Sequence, residues 1–272
     1  MKSAILIGSI FKTNNCDNLQ VLEFCKKEKG YEFYKCRFLE YPCEVIKSKY
    51  AILKGQISNP MYPVVYNIGY IGQGNYNKAN YKKIYEIWHS MLSRCYNKND
   101  SRFYCVGKLG TFVCKEWHNF QNFCGWYLNN LWTQDYNLQL DKDILANINH
   151  LETKIYSPET CLLIPEELNY YFLGDCVKCG IKYRKEVVLK ESKHYESRVF
   201  LGKERIGKHF NTFKEAKIFY SILKKKDLQQ RLQNLDIYDS SKEILLKYDF
   251  SWSWIWENMT EEEILEKFYK YE

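Results

Sequence analysis

The 272-residue chain has no run of about twenty apolar residues, so nothing in it is expected to span a membrane. The apolar run near the start, Ala4-Ile5-Leu6-Ile7, is too short to span. Lys12, Asn14 and Asn15 follow it without a small-residue cleavage pattern, so it reads as a first strand rather than a secretion signal. A cytoplasmic location is therefore expected, with the eleven cysteines as reduced thiols. A dinucleotide fingerprint is also missing: Gly69, Gly72 and Gly74 have the wrong spacing, no helix follows directly, and they read as a flexible exit from the segment before them. No helix-turn-helix signal occurs, which counts against a transcription regulator.

What is present is ample core material. An apolar fraction of 46% excludes global disorder. Aromatics make up 17%, which suits either core packing in an AT-rich coding sequence or rings that stack on bases. Charge is uneven. Between Lys178 and Arg231 there are 16 Lys/Arg against 6 Asp/Glu, a net of +10, so the rest of the +7 chain carries −3. A basic module on a near-neutral body points to an anionic polymer. A membrane surface fits less well, because this stretch reads mostly as strands.

The expected fold class is α+β, in four parts. Residues 1–75 read as small antiparallel β structure, with a strand at 31–38, a polar turn over 26–30 before it, and a strand end and loop at 54–60. In 76–173, Ile84, Ile87, Trp88, Met91, Leu92 and Cys95 recur at helical spacing. A loop over 97–110, a second helix over 112–131, a strand over 138–144, a polar loop over 145–157 and a helix opened by Pro165 follow. Residues 174–232 hold strand candidates at 181–189, 195–201 and 205–210, a turn at Gly202-Lys203-Glu204, and a helix opened by the capping box Thr212-x-x-Glu215. The tail, 233–272, carries Trp252, Trp254 and Trp256 and a second capping box at Thr260 and Glu263. Its near-alternating tryptophans suit a partner-binding strand or, in preference, docking onto the body.

Four blocks carry a resemblance. They are Trp88-x-x-Met91-x-x-Arg94-Cys95-Tyr96-Asn97, Val113-Cys114-Lys115-Glu116-Trp117, Leu140-Asp141-Lys142-Asp143-Ile144-Leu145 and Tyr156-Ser157-Pro158-Glu159-Thr160-Cys161. Over roughly 60–172, this order resembles the HNH-like homing endonucleases of bacteriophages and mobile elements. Gly180-Ile181-Lys182-Tyr183-Arg184, Ile206-Gly207-Lys208-His209-Phe210 and the helix from Thr212 resemble the plant-type APETALA DNA-binding domain, without its usual sheet tryptophan. The resemblance implies duplex DNA as partner, a host-cell cytoplasm, and a three-stranded sheet offering Arg184, Lys185, Arg198, Arg205 and Lys208 to it. Long cations there neutralise phosphates or fork onto guanine.

For the nuclease site it implies Mg2+ or another divalent metal, with Asp141 as strand ligand and Asn169 as helix ligand. The base position falls on Lys142, whose ammonium is a poor base unless desolvated. The loop-orienting position falls on Thr160. His150 is a substitute base within reach by sequence. With two of four groups replaced, two readings stand: a metal-dependent nicking or cleaving enzyme, and a non-catalytic anti-defence protein that binds a host nucleoprotein or defence complex. Cys176-x-x-Cys179 is a structural-zinc half-site, for which Cys161 and His194 are possible further ligands.

Overall fold

The computed structural model describes residues 5–14, 17–131, 137–151, 155–184 and 194–269. Lys185 of the expected interface, and most of the strand candidate 181–189, lie outside them. The architecture is mixed helix and sheet with several small sheets, as an α+β class requires. The chain divides into two compact units, Met1–Asn129 and Asn130–Glu272. Among the described residues no helix is long and apolar enough to cross a membrane.

The first unit opens with an antiparallel sheet in the order β1 (Ile10–Lys12), β2 (Asn18–Glu28), β3 (Tyr31–Phe38), β4 (Glu44–Ser48). The turn between β2 and β3 needs only Lys29 and Gly30, both at positive φ, so Lys26, Lys27 and Glu28 are strand rather than turn. Leu19, Val21, Cys36 and Phe38 point inward, against Ile52 of α1 (Lys49–Lys54). That helix ends at Lys54, where a strand end was expected. The Ser48 hydroxyl caps its start, and Gly55 at φ 64 ends it.

The period read at Ile84–Cys95 does form a helix, α2 (Lys82–Tyr96), which buries Trp88, Met91 and Leu92. The stretch expected as one helix over 112–131 breaks into β5 (Phe112–Val113), a 3₁₀ turn at Lys115–His118 and α3 (Phe120–Asn129). The cause is tertiary. Tyr70 donates to the His118 carbonyl and accepts from the Phe120 amide, each at 2.9 Å, and this bridge straightens the chain just before α3. The same bridge rigidifies the glycine segment. Gln121 donates to the carbonyls of Ile71 and Tyr76 and accepts from the Tyr76 amide. A Cβ on Gly72 would lie 2.0 Å from Asn119 Oδ1, and one on Gly74 would lie 2.2 Å from Gln121 Oε1. These glycines permit close packing and are not a flexible exit.

The second unit runs β6 (Leu138–Asp141), α4 (Asp143–Ile148), β7 (Ile155–Tyr156), β8 (Leu162–Pro165), α5 (Glu166–Phe172), β9 (Ile181–Tyr183), β10 (Tyr195–Leu201), β11 (Glu204–Phe210), α6 (Phe213–Gln233), α7 (Asp239–Leu245), α8 (Ser253–Trp256) and α9 (Glu261–Tyr269). β6 pairs antiparallel with β8, and β11, β10 and β9 form an antiparallel sheet in that order. A single core draws Ile144, Ile164, Leu168 and Phe172 together with Val199, Phe213 and Tyr220, and with Leu245, Phe250, Trp256 and Ile264. Side chains of the nuclease-like segment, the basic segment and the tail therefore share one interior. The tryptophans dock the tail: Trp256 is buried, and Trp252 Nε1 donates to Asp175 Oδ2 at 2.9 Å. Both capping boxes form.

Candidate nucleic-acid interface and strand-end carboxylate

The three-stranded sheet has two unlike faces because side chains alternate along each strand. One face carries Tyr195, Ser197 and Val199 of β10, all buried, and α6 lies against it through Phe213, Ala216 and Tyr220. α6 also ties the hairpin turn, since Asp227 Oδ1 accepts from the Gly202 amide at 3.0 Å while Asp227 Oδ2 accepts from Arg231. The other face is the open one. The register places Lys182, Glu196 and His209 in one row, Arg198 opposite Gly207, and Phe200 opposite Arg205. Arg184 follows on the same side, pairing through its backbone with His194. Lys182, Arg184, Phe200, Arg205 and His209 are exposed.

Glu196 organises that face. Its Oε2 accepts from Arg184 Nη2 at 3.1 Å and from Arg198 Nη2 at 2.6 Å, and its Oε1 accepts from Arg198 Nε. The Arg198 guanidinium, opposed by partial burial, holds the Glu196 carboxyl below its ordinary range, with His209 and Arg184 adding to the effect. Of the five cations expected on the offered face, Arg184, Arg198 and Arg205 are there, and Arg184 and Arg198 share a carboxylate. Lys208 is not. Strand alternation sends it to the helix-packed side, where its ammonium sits 5.5 Å from the Phe210 ring centre and 5.7 Å from that of Phe219. Sequence reasoning missed Lys182, Glu196, Phe200 and His209. The two-residue alternation around Arg198 was available to find Glu196 and Phe200.

Asp141 ends β6. Leu138 and Leu140 turn inward, which leaves Gln139 and Asp141 on the other side of the strand. The strand expected over 138–144 stops at Asp141, and the first part of the polar loop expected over 145–157 belongs to α4, which Asp141 starts: its Oδ1 accepts from the amides of Asp143 and Ile144, both at 2.8 Å. Burial, then the neighbouring Asp143 charge, raise the Asp141 pKa, while those two amide bonds oppose the rise. Asn169, on α5, donates Nδ2 to Gln139 Oε1 at 2.5 Å. Gln139, unforeseen in the sequence, lies one side-chain repeat, about 7 Å of strand, from Asp141. Asn169 thus meets the strand at Gln139.

The remaining two are engaged elsewhere. Lys142 pairs with Asp143 and faces the Tyr156 ring at 5.9 Å. His150, at φ 54, is exposed and stacks on Trp254 with ring centres 5.5 Å apart. Thr160 does tie its loop. Its hydroxyl donates to the Ile155 carbonyl at 2.7 Å and accepts from the Ser157 amide at 3.2 Å. A magnesium ion prefers carboxylate and water oxygens in octahedral array. Here Asp141 supplies a carboxylate already used as a helix cap, with the Gln139 amide two residues back on the same side of the strand. Among the described residues no group of three or more His, Cys, Asp or Glu could hold a metal ion. One carboxylate is a sparse donor set for such an ion.

The zinc half-site gains no partners either. Cys161 is buried beside Thr160, and His194 Nδ1 lies 3.2 Å from the Arg184 carbonyl while its ring stacks on Tyr183. Comparison with protein-family models, curated proteins and solved structures found no match.

Proposed function

We propose that this chain binds duplex DNA through the open face of the β9–β10–β11 sheet, as a protein of the phage-type HNH homing endonuclease lineage. The observation that carries the reading is that face itself: among the described residues, Lys182, Arg184, Arg198 and Arg205 against one carboxylate, Glu196, with an exposed phenylalanine among them. Cations spaced along a sheet neutralise phosphates and release counterions. A two- or three-stranded ribbon is narrow enough to enter a major groove. Metal-dependent nicking, in which Asp141 and Asn169 would hold Mg2+ or another divalent ion, is the second half of the proposal. His150, the substitute base the sequence offers, is engaged in stacking on Trp254, so water activation would be slow.

A specific observation favours a second reading for that half. Asp141 serves as a helix cap and His150 as a stacking partner, so both have structural duties that persist without chemistry. On this reading the chain is a non-catalytic binding protein whose target includes a host nucleoprotein or defence complex. Incubating supercoiled plasmid with purified protein and magnesium or manganese separates the two. Slow nicking that disappears in Asp141→Ala supports the enzyme. Binding without nicking in any divalent metal supports the binder.

A further inference from the structure

The Cys176-x-x-Cys179 pair, without further metal ligands, is left with unassigned chemistry. The chain turns tightly there: the Cys179 amide donates to the Cys176 carbonyl at 3.0 Å, and the Ile181 amide donates to that of Lys178 at 3.0 Å. A turn closed by such a bond brings its first and fourth Cα atoms within about 7 Å. That is the span a disulfide bridges. Cys176 is exposed and Cys179 is half-buried.

The surroundings are built for charge. Lys217 of α6 is fully buried, and its ammonium donates to the Cys176 carbonyl at 3.0 Å and lies 4.3 Å from the centre of the Tyr220 ring. The Tyr220 hydroxyl donates to Asp175 Oδ1 at 2.9 Å or to Cys179 Sγ at 3.3 Å. The Tyr220 hydroxyl is thus directed at one sulfur of the two-thiol turn, and Lys217 holds the turn through its backbone. Gly180, at φ 71, closes the turn, and its carbonyl accepts from the Arg198 amide at 2.9 Å. The dithiol is thus joined directly to the edge of the three-stranded sheet.

We propose that Cys176 and Cys179 form a redox-active dithiol that exchanges with small-molecule disulfides of the glutathione type. The Cys176 thiolate attacks one sulfur of glutathione disulfide. The S–S bond of that molecule breaks, and one glutathione leaves as thiolate, giving a mixed disulfide on Cys176. The Cys179 thiolate then attacks the Cys176 sulfur, the second glutathione leaves, and the intra-turn disulfide closes. The protein loses two electrons and two protons, the electrons reduce the glutathione disulfide to two thiols, and the protons pass to solvent or to the departing thiolates. Partial desolvation of the sulfur, then the neighbouring Cys179, hold the Cys176 thiol above its ordinary range, with Lys217 pulling it down. The exchange rate therefore rises with pH.

The test equilibrates the full-length chain in glutathione buffers from reducing to oxidising, traps free thiols by alkylation in acid, and maps the peptides by mass. The expected result is coupled loss of alkylation at Cys176 and Cys179, restored by dithiothreitol. Cys179→Ser should accumulate the glutathione adduct on Cys176. Free thiols at both positions, in a buffer that oxidises the exposed Cys25 and Cys105, would overturn the proposal. So would one tightly held zinc ion per chain that protects both sulfurs. A folded Cys179→Ser variant that forms no adduct would overturn the assigned order of attack.

Discussion

Glu196 Oε2 and Arg184 Nη2 lie 3.1 Å apart on the open face of the sheet, and the same carboxylate oxygen also receives Arg198. One acid in the middle strand thus anchors two of the cations of that face. Arranged this way, the guanidinium groups are fixed in direction at the cost of part of their charge.

Replacing Glu196 by Gln frees both arginines and removes one negative charge from the face. Affinity for non-specific duplex DNA is expected to rise severalfold, with a steeper dependence on salt, in a fluorescence anisotropy titration. Unchanged affinity would place the DNA-binding surface elsewhere.

Stability should fall with acid. The Glu196 carboxyl is lowered chiefly by its hydrogen bond to Arg198, and Asp100 is held well below its ordinary range by Arg102, with Ser93 and the Arg102 amide assisting. A carboxyl lowered on folding contributes stability that is present above its unfolded pKa and lost as pH falls toward the folded one. Thermal unfolding should therefore show Tm decreasing below about pH 4. Asp141 has the opposite sign: its raised pKa makes the charged form a burden at neutral pH. Asp141→Asn keeps an oxygen for the amides of Asp143 and Ile144, so it should hold or raise Tm at pH 7 while removing any nicking. Asp141→Ala loses the cap and should cost about 1 kcal/mol.

In the first unit, Gly72→Ala should be strongly destabilising. Its φ is +75, and the new Cβ would meet the Asn119 side chain at 2.0 Å. Strain and overpacking together are expected to cost about 2–3 kcal/mol, read as a lower urea midpoint. Gly8→Ala, at φ +88 but with open space around it, should cost less.

Much of the local structure was legible in the sequence because it is locally encoded. The strands at 31–38 and 195–201, the helix after Tyr81 and both capping boxes follow from alternation, period and caps within a few residues. What escaped was set from a distance. The break before Phe120 is imposed by pairing with Tyr70, and α4 by the carboxylate of Asp141 two residues before it. The side of the sheet taken by Lys208 depends on the register between β10 and β11. In the site, the link between Asn169 and Gln139 needs the paired strands to be seen. His150 carries no sequence signal that it would turn to Trp254.

Because α6 and the tail share one core with β9–β11, excising the basic segment would unfold the unit; point changes are the cleaner probe. The most direct measurement is the salt dependence of duplex DNA binding by the intact chain, compared with Arg184→Ala/Arg198→Ala/Arg205→Ala and with Lys208→Ala. Steep salt dependence is expected for the parent chain. Weaker binding is expected for the triple variant, with the slope shallower by about one for each phosphate no longer neutralised, and little change for Lys208→Ala. Parent-like binding by the triple variant, or an equal weakening in Lys208→Ala, would contradict the assignment of the open sheet face as the DNA-binding surface.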